Sequence, residues 1–204
     1  MRQNSWFLPA ALLTAALIGT LWVTHTQKPV ARAPGVLVAE VPHQTDLATP
    51  QPLPDHAGSK LSALAKFDLQ ARVLSREDYR FDRGAALAPI DLALGWQRMS
   101  DSSVLDQIEI SQGNRFFYWR VHDFPIPETE LETSAANMHL IPATETVERD
   151  LRRTRAGDIV SLHGWLVEAS MADGGTWRSS MTRSDTGFGA CELILVEGVE
   201  IAPR

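Results

Sequence analysis

The feature that most constrains this chain is an uncharged run from Trp6 to Val23, which follows Arg2. At 1.5 Å per helical residue, about 18 residues extend roughly 27 Å, close to the ~30 Å hydrocarbon core of a bilayer. Trp6 and Trp22 lie near its two ends, where tryptophan favours the membrane interface. Residues 1–24 are therefore predicted to be a membrane anchor or signal segment.

Two other interpretations of this segment stay open. Ala31 to Ala33 form a small-x-small pattern, which is typical of a signal-peptide cleavage site. Cleavage at this site would make Pro34 the first residue of the mature chain, and the site lies far beyond the end of the apolar run. An uncleaved anchor is therefore favoured. The third interpretation is a buried helix of a soluble protein.

The charges flanking the run set only a small orientation bias, because Arg2 is balanced by Lys28 and Arg32. The default topology keeps the short N-terminal tail inside and translocates the rest. We therefore expect a single-pass inner-membrane protein of a Gram-negative-type cell with a periplasmic C-terminal domain.

A proline-rich stretch follows the apolar run, with prolines at positions 29, 34, 42, 50, 52 and 54. Prolines at this density oppose a helix and favour a semi-extended chain. Residues 25–60 are predicted to be a linker that holds the domain of residues 61–204 away from the membrane.

The domain is predicted to be α+β and mainly β. Alternating or aromatic-rich patterns predict strands; they lie within residues 66–73, 114–124, 137–143, 158–169, 176–184 and 190–201. Thr144 can cap a helix that runs toward Gly157. Residues 88–101 are predicted as a short helix, although their alternation leaves a strand possible, and residues 102–110 as a further helical turn or two.

The segment from the helix at Thr144 to the C-terminus resembles the end of a small OB-like (oligonucleotide- or oligosaccharide-binding) or SH3-like barrel. That resemblance implies a binding face and no defined chemistry. The segments "DLALGWQRMSD", "NRFFYWR", "NMHLIPA" and "TGFGACE" together resemble a group of uncharacterised bacterial proteins with one N-terminal membrane segment. This second resemblance implies no catalytic residue and no substrate.

Charge and cysteine content exclude several classes of function. The formal net charge of -6 disfavours binding to nucleic acid. A single cysteine excludes an intramolecular disulfide and a multi-cysteine metal site. The six histidines show no metal-ligand spacing, so neither a metal nor a cofactor is predicted.

Thiol catalysis is the one enzymatic alternative, because a cysteine nucleophile needs a nearby base and often a third group that orients it. The candidates are Cys191, His139, His163 and Asp185. Strand alternation places Cys191 on the apolar side with Leu193 and Leu195, and free cysteine is frequently buried. The sequence therefore favours a structural Cys191 over a catalytic one.

Aromatic and basic side chains mark the predicted binding surface. Tyr118, Arg120 and His122 share one side of their strand, and His163 and Trp165 share one side of another. Aromatic rings beside arginine serve in recognition, although such rings also fill two-faced cores.

The expected function is a non-enzymatic envelope binding or assembly module that recognises a protein or cell-wall ligand. The alternative is a cysteine-dependent hydrolase or transpeptidase that acts on cell-envelope material.

Overall fold

The computed structural model describes residues 28–185, 187 and 189–204. The predicted membrane segment, residues 1–24, lies outside the described residues. Within the described part, no helix is long and apolar enough to cross a membrane.

The described chain is mainly β, as predicted. Its strands are β1 (His43–His56), β2 (Ser59–Asp78), β3 (Ile90–Gly95), β4 (Ile108–Gly113), β5 (Phe116–Val121), β6 (Ala135–Pro142), β7 (Ile159–Ser170), β8 (Thr176–Arg178) and β9 (Glu192–Ile201). Its helices are α1 (Ser102–Leu105), α2 (Glu128–Thr133) and α3 (Glu145–Leu151), with a short 3-10 turn at Gln97–Ser100.

Five strands close into a ring in the order β2-β3-β6-β9-β7, and β7 pairs back onto β2. Every neighbouring pair in the ring is antiparallel except β6 and β9, which are parallel. Helix α3 connects β6 to β7. Closing the ring gives each of these strands at least two hydrogen-bonded neighbours, so none is left with an open edge along its whole length.

The main core lies inside this ring and follows the alternation of the sequence. Phe67, Leu69, Ala71 and Val73 of β2 are all buried in it, which confirms the predicted strand and its apolar side. The opposite side contains one exception, because Arg72 is only 9% exposed and donates hydrogen bonds to Ser100 O and Ser102 Oγ.

The helix predicted over residues 88–101 is wrong, because Ile90–Gly95 forms strand β3. All six residues are buried. Ile90, Leu92 and Leu94 enter the core, while Asp91 and Ala93 lie on a face that is also covered. The alternation of Ile90, Leu92 and Leu94, which left a strand possible, therefore gave the correct alternative, and the second face is covered although it carries the charged Asp91.

The predicted linker over residues 25–60 is wrong for its second half, because His43–His56 pairs with β2 as an antiparallel edge strand. Pro50, Pro52 and Pro54 lie in that strand, and an edge strand tolerates them since one row of its N–H groups needs no partner. The register shifts between Asp46 and Gln51, next to the first of these prolines.

Residues 28–42 also pack against the domain. Val30 N donates to Ala156 O at 2.7 Å, and Gln97 N donates to Val38 O at 2.7 Å. Val38 is 2% exposed within the main core. The described chain is therefore packed on the domain from residue 30 onward.

Other local predictions agree more closely with the structure. Thr144 caps α3 by accepting a hydrogen bond from Val147 N. Gly164 lies at a register shift between β7 and β9, as expected of a bulge. The strand predicted over residues 176–184 is real only for Thr176–Arg178.

An insertion between β3 and β6 forms a second, smaller layer. Strands β4 and β5 make a separate two-stranded sheet, and α2 follows it. Phe117, Trp119 and Val121 of β5 pack on a satellite core built around Met99 and Leu131, whereas Tyr118 points outward.

A substitution at Gly157 can test whether residues 28–42 pack on the domain. Its φ is +88°, and an added Cβ would lie 2.0 Å from Val30 O. Gly174 has a similar φ of +85° with no atom within 4 Å of the added Cβ, so it is a matched control. Holding an alanine in the left-handed backbone conformation lowers the free energy of unfolding by about 1–3 kcal/mol at either position.

We expect Gly157→Ala to lower the free energy of unfolding by at least ~1 kcal/mol more than Gly174→Ala, because Val30 must also move. The substitution should expose residues 28–42 to proteolysis. Denaturant unfolding of the full-length chain in detergent, combined with limited proteolysis, measures both effects. Equal costs at the two glycines would contradict the docked segment.

Candidate binding cavity

The β4–β5 hairpin turns through Asn114 and Arg115, which have φ values of 52° and 70°. Two successive left-handed residues are typical of the tight turns that match the twist of paired strands. The turn is fixed to the barrel because Arg115 N donates to Tyr79 Oη at 2.9 Å.

The Arg115 guanidinium clamps this turn onto the outer face of the barrel. It donates to both carboxylate oxygens of Asp82 at 3.0 and 2.8 Å, to Asp91 Oδ1 at 2.8 Å and to Ala88 O at 2.8 Å. The Tyr79 ring lies 3.7 Å from the guanidinium carbon. Asp91 is fully buried and the Arg115 side chain is 16% exposed, so this is a buried pair.

Asp91 is also the centre of a polar network on β3 and β6. His139 Nδ1 lies 2.9 Å from Asp91 Oδ2, in a direction unsuited to a hydrogen bond. Asn137 Nδ2 donates to Arg115 O at 3.0 Å. The His139 ring packs against Trp177, with 4.8 Å between ring centroids. The network therefore joins the barrel face, the hairpin turn and β8.

Beside this clamp lies a cavity of about 370 Å³, within the size range of small-ligand sites. One wall is the aromatic strand β5, which contributes Phe116, Phe117, Tyr118 and Trp119. The facing wall comes from α2 and the start of β6, and it includes Leu131, Glu132 and Ala136.

The floor of the cavity comes from the segment that leads into β9. It includes Arg183, Asp185, Ala190, Cys191 and Glu192, and Asn137 of β6 lies beside it. Arg183 is also held by strand β1, because Arg183 Nη1 donates to Gln44 Oε1 at 3.3 Å.

Glu192 is the unusual group of the floor, since it is a fully buried carboxylate. Arg183 Nε lies 2.6 Å from its Oε1, but neither carboxylate oxygen has a hydrogen bond of good geometry within the described chain. Burial, only partly offset by Arg183, raises the pKa of Glu192 to about 8. The group is therefore mostly protonated at neutral pH.

Cys191 lies just before β9 and lines the same cavity, half buried. Its Sγ is 3.8 Å from Asn137 Nδ2 and 3.8 Å from Arg115 O. Burial raises the pKa of the Cys191 thiol to about 12, so the nucleophilic thiolate is scarce at neutral pH. Leu193 and Leu195, which the sequence grouped with it, lie in a buried apolar cluster.

The structure does not bring the other predicted catalytic residues together at Cys191. Asp185 lines the cavity and accepts a hydrogen bond from Ser180 Oγ at 2.7 Å. His139 is 4% exposed in the Asp91 network, whereas His163 is an exposed residue of β7.

Of the five predicted binding residues, Tyr118 lines the cavity and is 50% exposed. Arg120 and His122 continue the same side of the hairpin away from it. Arg120 lies 3.6 Å from Glu109 and His122 lies 2.8 Å from Asp123, all with highly exposed side chains.

His163 and Trp165 lie on β7 and face β9 instead. The His163 ring covers Gly198, and Trp165 Nε1 donates to Glu197 Oε1 at 3.0 Å. Neither lines the cavity, so the structure does not combine them with Tyr118 in one site.

Sequence reasoning missed Arg115, Asn137, Arg183 and Glu192. A charged residue next to the apolar run "LILV" was a signal for Glu192. The sequence contains no comparable signal for Arg115, Asn137 or Arg183, because their contacts depend on which strands become neighbours in the fold. Among the described residues, no group of three metal-ligating side chains is present.

Comparisons of this chain with protein-family models, curated proteins and solved structures find no match.

Arg115→Ala should lower the free energy of unfolding by about 3–5 kcal/mol, because it leaves Asp91 buried without its partner. Arg120→Ala, on the same hairpin, removes only an exposed pair and should change stability by at most about 0.5 kcal/mol. Urea unfolding of the full-length chain in detergent compares the two. A cost below 1 kcal/mol for Arg115→Ala would show that the clamp is not essential.

The raised pKa of Glu192 predicts a pH dependence of stability. Between its ordinary value of 4.5 and about 8, the folded protein holds a proton that the unfolded chain has released. This contribution is complete below about pH 4.5 and is lost as the pH rises toward 8.

Glu192→Gln should therefore flatten the fall in unfolding free energy between pH 5 and 8, because glutamine carries no proton to lose. Glu109→Gln removes an exposed carboxylate and serves as the control. Identical pH profiles for wild type and Glu192→Gln would mean that Glu192 is ionised in the folded protein at neutral pH.

Proposed function

We propose that this chain is a membrane-tethered binding or assembly module of the cell envelope that acts without catalysis, and that its ligand enters the cavity beside β5. The observation that carries the proposal is the cavity itself, which combines an aromatic wall with a buried polar floor. Ligand sites usually have this composition, with a largely apolar lining and a few placed polar groups.

The barrel supports a binding role. In chain order its five strands lie around the ring as first, second, third, fifth and fourth, with the helix between the third and fourth. We propose that this is an OB-like barrel, since five-stranded barrels of that class bind ligands on the strand face and adjoining loops. The cavity lies where the connection before the fifth strand meets the third strand.

The acidic net charge favours a partner other than nucleic acid, so the proposed ligand is an envelope protein or a cell-wall component. Residues 6–23 are proposed to anchor the chain in the inner membrane, with the domain in the periplasm. Since the chain packs on the domain from about residue 28, only residues 24–27 separate the two. Four residues span at most about 14 Å, which keeps the domain close to the bilayer.

The cysteine-dependent alternative loses support from the same geometry. A catalytic thiol needs a lowered pKa and a base within hydrogen-bond reach. The pKa of Cys191 is raised, and within the described residues its Sγ lies beside the Asn137 amide and the Arg115 carbonyl.

A photo-crosslinking amino acid at position 118 tests the proposal in the full-length chain in cells. We expect adducts with an envelope component from position 118 and not from position 122, which lies off the cavity. Ala190→Trp, which fills the cavity, should abolish the adduct, whereas Cys191→Ser should leave it unchanged.

Two outcomes would contradict the proposal. Adducts that persist in Ala190→Trp would place binding elsewhere, and adducts formed only with cytoplasmic proteins would exclude the envelope. Loss of the adduct in Cys191→Ser would instead favour the thiol-dependent alternative. The unfolding midpoint of Ala190→Trp serves as its folding control.

A further inference from the structure

We propose that the cavity recognises an ammonium group at the end of an apolar stem, as in a lysine-type side chain of a peptide. This inference rests on the proposed function and names the chemical class of its ligand.

The charges that line the cavity favour a cation. Two ionised carboxylates, those of Glu132 and Asp185, line the cavity with one guanidinium, that of Arg183, whereas the raised pKa of Glu192 leaves that group mostly protonated. Arg183 is already engaged, because its Nε lies 2.6 Å from Glu192 and its guanidinium lies 5.3 Å from the Phe67 ring centroid. Within the described part of the chain, Glu132 and Asp185 enter no ion pair.

The aromatic wall can contact both the apolar stem and the ammonium group of a lysine-type side chain. Phe116 and Tyr118 are neighbours with ring centroids 6.2 Å apart, and Tyr118 is half exposed. The face of an aromatic ring attracts an ammonium group, and its apolar surface accepts a methylene stem. The negative face of an aromatic ring offers an anionic group no such attraction.

Glu192 does not contact such a ligand directly. Its two carboxylate oxygens have almost no accessible surface, and Arg183 Nε lies 2.6 Å from Oε1. Glu192 therefore holds Arg183 in place, and the carboxylates that a cation in the cavity can reach are those of Glu132 and Asp185.

The cavity volume of about 370 Å³ suits a single side chain with part of its backbone. At roughly 30 Å³ per water, it corresponds to about twelve water molecules. A whole folded partner does not enter it, so the recognised element is a protruding side chain on an extended segment.

The test compares two uncharged-backbone probes on the full-length chain in detergent. Nα-acetyl-lysine amide carries the ammonium group, and Nα-acetyl-norleucine amide keeps an apolar stem without it. Titration calorimetry should show the lysine probe binding at least about tenfold more tightly, because the ion pairs and the cation–π contact act only on the ammonium.

Matched variants locate the binding. Asp185→Asn and Glu132→Gln should each weaken the lysine probe about three- to tenfold, while Glu109→Gln, an equal charge change off the cavity, should leave it unchanged. Tyr118→Leu should weaken it to a similar extent, because leucine keeps an apolar contact without the aromatic face.

Equal binding of the two probes would overturn the ammonium proposal, and so would equal weakening by Glu109→Gln. Failure of the lysine probe to bind, with position 118 still forming its envelope adduct, would overturn this inference and leave the proposed function standing. If position 118 also forms no envelope adduct, both the ammonium proposal and the proposed function are contradicted.

Discussion

The buried pair between Arg115 and Asp91 determines how the two layers of this molecule are joined. Asp91 lies on a barrel strand and has no exposed surface, so it requires a charged partner. The partner comes from the turn of an inserted hairpin, which is thereby fixed over the barrel face together with Tyr79 and Asp82. The pair fixes the turn, while Phe117, Trp119 and Val121 pack the rest of the hairpin on the satellite core, so that the aromatic strand forms a wall of the cavity.

The cavity is therefore a product of the insertion and not of the barrel alone. Its wall comes from β5, its opposite side from α2 and β6, and its floor from the segment before β9. Glu192 on that floor is expensive to bury, and buried titratable groups with perturbed pKa values concentrate at functional sites. Both proposals, the envelope-binding module and the ammonium-recognising cavity, depend on the cavity between the hairpin and the barrel. The two tests separate them because one uses envelope components in cells and the other uses a lysine probe.

Much of the strand pattern could be predicted from the sequence, because alternation reports which side of a strand is buried. The prediction succeeded for Phe67 to Val73 and for the α3 cap at Thr144, where only one face or one local hydrogen bond decides. It failed for Ile90–Gly95, where the alternation left a strand possible but six residues were too few to separate a strand from a helix. It also failed for His43–His56, because proline density does not reveal that an edge strand can leave N–H groups unpaired.

For the candidate site, too, some features follow from the local sequence and others only from contacts between distant segments. By itself, the sequence determined the net charge, the single cysteine and the two sides of β5, so the side of the strand that Tyr118 takes could be predicted before its surroundings were known. Only the tertiary structure decided that Cys191 lies beside Asn137, that Glu192 is fully buried and that Arg183 is its partner. Local periodicity fixes which side of a strand a residue takes, whereas the contacts that shift a pKa or form a cavity come from segments far apart in the chain.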